Sequence, residues 1–250
     1  MPMLKRPDGE IYYEEFGNGF PVLLFAPGGL RSRLANWHHT PGGPQRPSCD
    51  WTQVLADAGY HVIAMDQRNA GRSRTAIEAD HGWHTYAADH MALMDHVGAD
   101  RFHVLGGCIG GSFCLKAAEV APSRVVSAVV QNPIGVHPEF PEYFPESHAE
   151  WIKEKRAERP ELDEAKMVAF GKNMWDHEFV FCVDKNFVRN CPVPTILLPG
   201  TDKPHPAATS DELERLLPGV EVIRDWRGPE HMDAQRERVV AFLNKHTPRR

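Results

Sequence analysis

Short apolar segments alternate along this chain with longer segments of helical periodicity, and this alternation constrains the fold more than any other feature of the sequence. Residues 22–25 (VLLF) and 126–130 (VSAVV) are almost continuously apolar. Strands of this kind are buried on both faces, as in a parallel sheet covered by helices. The alternation therefore predicts an α/β fold with a mostly parallel, doubly wound sheet.

The individual elements follow from the same patterns. The predicted strands are residues 11–16, 22–26, 61–66, 102–106, 125–131, 194–198 and 220–225, and the predicted helices are 51–58, 85–97, 109–121, 209–217 and 233–245.

Composition narrows the class of protein. The 250 residues include 28 Lys and Arg against 34 Asp and Glu, a net charge of −6, which is the opposite of a nucleic-acid-binding surface. No apolar run approaches the roughly 18 residues of a membrane span, and the N-terminus lacks the apolar segment of a signal peptide. The five scattered cysteines are typical of reduced thiols. The sequence thus predicts a cytoplasmic protein with no nucleic-acid or membrane partner, and it leaves a homodimer open.

A glycine-rich turn, GGCIGG at residues 106–111, carries the strongest chemical signal. It joins a predicted buried strand to a predicted helix rich in small residues. The Gly-x-Cys-x-Gly spacing is that of a nucleophile elbow, a strained turn that presents its central side chain at the end of a strand. Cys108 stands in the nucleophile's position, and the positive end of the helix dipole favours its thiolate. The alternative, a buried structural cysteine, does not account for the flanking glycines.

The order of parts resembles the α/β-hydrolase fold over nearly the whole chain. That family orders nucleophile, acid and base along the sequence. The resemblance implies a triad of Cys108, Asp202 in the PGTD turn after the sixth predicted strand, and His231 in the RGPEH segment before the last helix. Asp211 and Asp225 are the alternative acids.

Two further segments bear on this resemblance. His205 follows Asp202 by three residues; it could flank the site, but a turn histidine is the simpler interpretation. Residues 66–73 (DQRNAGRS) resemble the family's Asp-x-Arg-Gly-x-Gly-x-Ser loop, with Asn69 in place of a glycine. We expect an architectural role for this loop.

The elbow also predicts an oxyanion hole made of two backbone N–H groups. One belongs to Ile109, directly after the nucleophile. The other lies in the loop after the predicted strand 22–26. Pro27 has no N–H, so Gly28 or Gly29 is the donor, and Gly29 is preferred.

Residues 133–190 interrupt the strand–helix alternation and contain many aromatic residues. We predict that they form a lid inserted into a core of residues 1–132 and 191–250. A capping-box pattern, SHAE, predicts a helix that begins at residue 147, and an apolar stripe predicts a second helix over 163–175. Residues 178–183 are predicted as a strand.

Three tryptophans are candidates for substrate binding. Trp151 and Trp175 belong to the predicted lid, and Trp37 lies in a long loop beside His38 and His39. The alternative is that the lid tryptophans only anchor the lid helices to each other and that the loop is solvated. The 14 histidines form no local set of four ligands, so no metal or other cofactor is predicted.

A cysteine nucleophile favours attack on activated acyl carbons. The elbow resembles that of dienelactone hydrolases, whereas the lid is similar to those of esterases and C–C hydrolases. The expected function is hydrolysis of an ester, lactone or thioester of a small, partly apolar acyl compound through a Cys-His-Asp triad. An acyltransferase using the same acyl-thioenzyme, and a ligand receptor with little turnover, remain alternatives.

Overall fold

A computed structural model describes residues 2–38 and 49–249. Within these ranges the strands are β1 (Met3–Arg6), β2 (Gly9–Phe16), β3 (Phe20–Phe25), β4 (Tyr60–Met65), β5 (Arg74–Thr75), β6 (Phe102–Gly107), β7 (Val125–Gln131), β8 (Thr195–Leu198) and β9 (Glu221–Val222). The helices are α1 (Trp51–Asp57), α2 (Trp83–His96), α3 (Ile109–Val120), α4 (Tyr143–Glu158), α5 (Glu164–Trp175), α6 (Lys185–Arg189), α7 (Ala207–Leu216) and α8 (Met232–His246).

The strands form one sheet in the order β1-β2-β4-β3-β6-β7-β8-β9, with β5 paired to β2. From β4 to β9 every pairing is parallel, whereas β1, β2 and β5 pair antiparallel. The predicted α/β architecture with a mostly parallel sheet is confirmed. The short strands β1 and β5 were not predicted, and the last predicted strand is reduced to two residues.

The sheet is buried on both faces, as the continuous apolar runs indicated. Successive side chains of a strand point to opposite faces. Leu23 and Phe25 of β3 therefore pack in a core with residues of α2 and α3, while Val22 and Leu24 pack in a second core with residues of α1 and α8. Because one core lies on each face of β3, hydrophobic residues occupy consecutive positions of this strand, and its sequence does not alternate between apolar and polar residues.

The segment between β7 and β8 differs from its prediction in two places. Helix α4 begins at Tyr143, so Ser147 lies inside the helix and does not cap it. Residues 178–183 form turns, not a strand, and Phe179 and Phe181 have φ of 60° and 66°, which breaks the extended conformation. Helix α5 agrees with its prediction, because Asp163 caps it by accepting hydrogen bonds from two backbone N–H groups.

Among residues 2–38 and 49–249, no helix is both long enough and apolar enough to cross a membrane.

The approach of α3 to the sheet requires glycine at two positions. A Cβ on Gly110 would lie 2.3 Å from the carbonyl oxygen of Phe25, and a Cβ on Gly106 would lie 2.1 Å from the carbonyl oxygen of Gly110. Both neighbours are backbone atoms that cannot move aside. The two glycines therefore allow the helix to begin directly at the end of β6.

We expect Gly110→Ala to destabilise the fold, although alanine is the better helix former. The added methyl group must displace the backbone of β3, and overpacking of this kind costs about 1–3 kcal/mol. Denaturant unfolding would measure the loss. Val120→Ala, at an exposed site on the same helix, is the control and should change stability by no more than about 0.5 kcal/mol. Equal stability of Gly110→Ala and the wild type would contradict the tight crossing.

Candidate active site

Cys108 lies in the turn between β6 and α3. Its backbone has φ 60° and ψ −124°, and it is the N-cap residue of α3. A positive φ is strained for a residue other than glycine, and here the Cys108 N–H is held by the carbonyl of Gln131, 3.1 Å away. The thiol is partly exposed, unlike the other four. The local geometry is that of the predicted elbow.

A tight turn after β8 brings a carboxylate and an imidazole together. Asp202 and His205 exchange backbone hydrogen bonds of 3.2 and 2.9 Å, and the Nδ1 of His205 is 2.5 Å from the Oδ1 of Asp202. The second oxygen of Asp202 accepts a hydrogen bond from Arg227 at 3.1 Å. A Cβ on Gly200 would lie 2.5 Å from the Cβ of His205, so the turn also depends on that glycine.

His205, and not His231, is the histidine beside Cys108. Its Nδ1 is paired with Asp202, and its Nε2 is buried with no hydrogen-bonding partner among the described residues. The ring and the Cys108 thiol are close enough to shift each other's pKa. His231 lies in the short turn before α8, with its side chain 38% exposed and its Nε2 3.6 Å from the carboxylate of Glu230. It lines a separate cleft that does not contain Cys108.

The structure thus does not bring His231, the predicted base, to Cys108. His205 shares the tight turn after β8 with Asp202, whereas the loop after β9 reaches Asp202 through Arg227 and leaves His231 in a separate cleft. The signal in the sequence was the Asp-x-x-His spacing at residues 202–205, directly after a buried strand.

The thiol and the imidazole shift each other's pKa. Burial raises the pKa of Cys108. The interaction with His205 and the backbone N–H groups of Gly28 and Ile109 lowers it by more, so the net pKa is below its ordinary value. Burial lowers the pKa of His205, but Cys108 and Asp202 raise it above its ordinary value. Both net shifts favour the thiolate–imidazolium pair over the neutral thiol and imidazole.

The N–H groups at the sulfur identify the donor in the β3 loop. Gly28 and Gly29 both line the cavity beside Cys108, and the backbone N–H groups of Gly28 and Ile109 lower the pKa of the thiol, which favours Gly28 as the second donor. Gly28 has φ 129°, and a Cβ there would lie 2.5 Å from the Nδ2 of Asn36. That amide donates to the carbonyl of Pro27 at 2.7 Å and so holds the loop in place.

The loop at residues 66–73 holds the segment that follows β3 and does not line the cavity beside Cys108. Asp66 accepts hydrogen bonds from the backbone N–H groups of Leu34 (2.8 Å) and Arg72 (2.9 Å). Asn69 has φ 57°, a conformation that asparagine tolerates better than most residues. This explains how asparagine stands where the family loop has glycine.

Cys108 opens into a cavity of about 240 Å³. Its walls come from the β3 loop, from α4, from the end of α5 and from the turn before His205. The lining residues are Gly28, Gly29, Leu30, Arg31, Cys108, Tyr143, Phe144, Ser147, His148, Trp151, Trp175 and Pro204. A larger cleft of about 770 Å³ borders residues 177–185 and contains none of the candidate catalytic residues.

The structure places the three candidate tryptophans in two different surroundings. Trp151 and Trp175 line the cavity, and their role in substrate binding stays a prediction. Trp37 does not line it; the residue is buried in the core of α1 and α8, against Gly107. His38 pairs with Asp50 at 3.0 Å, and His39 lies outside the described residues.

In the described part of the chain, no group of three or more His, Cys, Asp or Glu side chains is placed to hold a metal ion.

These features match a known family. The model of the α/β hydrolase fold family matches residues 21–165, which include the β3 loop, the elbow and α4. The chain belongs to the α/β-hydrolase fold family.

Two curated relatives match part of the sequence. A non-heme haloperoxidase of Rhodococcus erythropolis is 33% identical over 135 residues, which are 52% of this chain and 43% of the relative. The 2-hydroxy-6-oxo-6-phenylhexa-2,4-dienoate hydrolase of Comamonas testosteroni is 27% identical over 126 residues, 50% of this chain and 41% of the relative. The chain thus spans less than half the length of these relatives.

Solved structures superpose on almost the whole length of this chain. The enol-lactonase from Burkholderia xenovorans LB400 superposes with a TM-score of 0.72 at 17% identity, covering 97% of this chain and 100% of that one. At that identity the likeness shows the fold, which the sheet order already defines.

We expect iodoacetamide to modify Cys108 before the other cysteines. Burial raises the pKa of Cys49 to about 11 and of Cys182 to about 12, and it raises that of Cys114 and Cys191 as well. Because His205 lowers the pKa of Cys108, its alkylation should set in at a lower pH than that of the other four thiols.

Peptide mapping after brief labelling at a series of pH values would measure this. His205→Gln removes the imidazolium and should move the rise in the Cys108 rate to higher pH, while His231→Gln should leave it in place. Faster labelling of any other cysteine in the folded protein would show that this thiol is not activated.

Proposed function

We propose that the protein hydrolyses an ester, lactone or thioester of a small, partly apolar acyl compound, with Cys108 as nucleophile, His205 as general acid and base, and Asp202 as the group that orients His205. The observation that carries the proposal is the strained turn that holds Cys108 at φ 60° at the start of α3 and opens it into a cavity lined by Gly28. The nearby Asp202–His205 pair supports it. Membership of the α/β-hydrolase fold family and the hydrolase among the partial relatives support the reaction class.

The first half-reaction forms an acyl-thioenzyme. The Cys108 thiolate attacks the acyl carbon, a C–S bond forms, and the carbonyl oxygen becomes an oxyanion beside the N–H groups of Gly28 and Ile109. The C–O or C–S bond to the leaving group then breaks. His205, as imidazolium, gives its proton to the departing alkoxide or thiolate.

The second half-reaction restores the enzyme. Neutral His205 takes a proton from a water molecule, whose oxygen attacks the acyl carbon. The bond to the sulfur of Cys108 breaks and the carboxylic acid leaves. Asp202 stays ionised throughout, because its function is to hold the Nδ1–H of His205 and stabilise the imidazolium.

A cysteine changes which substrates suit this site. The thiolate exists before substrate binds, so no proton has to leave the nucleophile at the moment of attack. Activated acyl groups with a good leaving group therefore fit better than amides. An alcohol, amine or thiol that replaces water in the second half-reaction would turn the same intermediate into acyl transfer.

Replacement of the nucleophile tests the covalent step. We expect Cys108→Ala to lower kcat/KM on p-nitrophenyl acetate and butanoate on the order of 10³-fold or more while the melting temperature stays within a few degrees of the wild type. Mass spectrometry of the wild type quenched during turnover should show an acyl group on the Cys108 peptide.

Cys108→Ser refines this test, since serine fits the same turn but must lose its proton during attack. A slow serine variant is expected if the site is tuned for sulfur. Full activity of folded Cys108→Ala on every ester, lactone and thioester in a small panel would exclude the proposed nucleophile.

The structure and the sequence-based assignment favour different histidines as the catalytic base. We expect His205→Ala to lower kcat/KM on the same esters by roughly 10³-fold or more, because the thiol loses its proton acceptor and its charge partner. His231→Ala is the matched control and should stay within about threefold of the wild type. The opposite ranking of the two variants would return the base to His231.

A further inference from the structure

The carboxylate that pairs with His205 is open to solvent. The side chain of Asp202 is 45% exposed, whereas that of His205 is only 11% exposed. A half-exposed carboxylate can turn and bind water through either oxygen, and an ion pair at such a place is usually weak. Burial alone therefore does not keep one oxygen of Asp202 at the observed 2.5 Å from the Nδ1 of His205.

The loop after β9 supplies a second partner for this carboxylate. The Nη1 of Arg227 donates to the Oδ2 of Asp202 at 3.1 Å and to the hydroxyl of Thr201 at 3.2 Å. The two oxygens of Asp202 thus have different partners, since Oδ1 faces the imidazole and Oδ2 faces the guanidinium. A turn of the carboxylate plane would lengthen both contacts, so each partner restrains the carboxylate for the other.

Arg227 is itself held by the core. Its guanidinium carbon lies 4.8 Å from the centre of the Trp226 ring, a distance at which a cation and an aromatic face attract each other. Trp226 is buried, and its Nε1 donates to the carbonyl of Pro199 at 2.9 Å. Pro199 directly follows β8. The indole therefore ties the loop after β9 to the end of the strand from which the Asp202 turn begins.

A second arginine of the same loop has a different partner. Arg224 lines the same cleft as Arg227, but its Nη2 donates to both carboxylate oxygens of Glu214, at 2.6 and 2.9 Å. Neither arginine lines the cavity beside Cys108. The two side chains thus match in type, segment and exposure to the cleft, and they differ in whether they bind Asp202.

We propose that Arg227 is a positioning residue of the reaction, which holds the carboxylate of Asp202 so that Asp202 keeps the imidazole of His205 in place beside Cys108. The inference rests on the proposed function, because it adds a residue to the same site. Arg227 acts through Asp202 and not on the substrate. A reacting group that is misplaced by about 1 Å can cost on the order of 10²-fold in rate.

Two substitutions of Arg227 test this role by kinetics. Arg227→Met removes the charge and the donors but keeps an apolar chain against Trp226, and Arg227→Lys keeps a cation. We expect Arg227→Met to lower kcat/KM on p-nitrophenyl acetate and butanoate by roughly 10- to 100-fold. The factor should be the same for both esters, because Arg227 does not line the cavity. Arg227→Lys should lose several times less activity.

Arg224→Met is the matched control and should stay within about twofold of the wild type in kcat/KM. Exposed ion pairs contribute little to global stability, so the melting temperatures of all three variants should lie within a few degrees of the wild type. A fall in kcat/KM at unchanged melting temperature separates positioning from a loss of folded protein.

A spectroscopic measurement tests the same role without turnover. The Nδ1–H of His205, held by Asp202, should give a downfield proton NMR signal in the wild type that His205→Gln lacks. Arg227→Met should broaden or remove this signal, because a carboxylate that turns freely lets the proton exchange faster with water. Arg224→Met should retain it. If Arg227 only anchored its loop, the signal would stay in place in Arg227→Met.

The outcomes separate the two proposals. Activity of Arg227→Met within about twofold of the wild type, an equal loss in Arg224→Met, or a His205 signal that is absent from the wild type or unchanged in Arg227→Met overturns the positioning role. A loss that differs strongly between the two esters also overturns it, because it assigns Arg227 to substrate binding. Failure of the wild type to turn over any ester, with a His205 signal that still depends on Arg227, would overturn the hydrolase function and leave the positioning of Asp202 standing.

Discussion

The site depends on how closely α3 can approach the end of β6. The carbonyl oxygen of Phe25 lies where a Cβ on Gly110 would be, so the helix can begin at once only because that residue is glycine. The immediate start of the helix holds Cys108 at φ 60° and presents its sulfur at the carboxyl edge of the sheet. It also directs the N–H of Ile109 to that sulfur. The position of Cys108 is thus a consequence of backbone packing.

The partners of the thiol come from loops that follow neighbouring strands of the parallel sheet. Such loops meet at one edge, where α/β folds assemble their sites. The loop after β3 supplies Gly28, and the turn after β8 supplies both Asp202 and His205. Because Asp202 and His205 share one four-residue turn, closed by two backbone hydrogen bonds, their relative geometry is fixed locally. The loop after β9 contributes Arg227, which holds the second oxygen of Asp202.

The segment over the site differs in character from the sheet below it. The sheet edge offers a charged pair and N–H groups, as acyl chemistry requires, whereas α4 and α5 offer aromatic rings. Clustering of the rings, as in the stacking of Phe144 on Trp175, binds the two helices to each other and to α2. The same tryptophans therefore stabilise the segment and enclose the cavity, and the two roles predicted for them are compatible.

The sequence by itself determined the sheet, its burial on both faces and the elbow, because each depends on local periodicity or on glycines at fixed spacing. It also placed Asp202, which closes a turn directly after a buried strand. Only the tertiary structure places His205, and not His231, beside the thiol, and sets Trp151 and Trp175 in the cavity wall but Trp37 in the core. These placements depend on contacts between loops and helices that are far apart in the sequence. No local pattern in the sequence encodes those contacts.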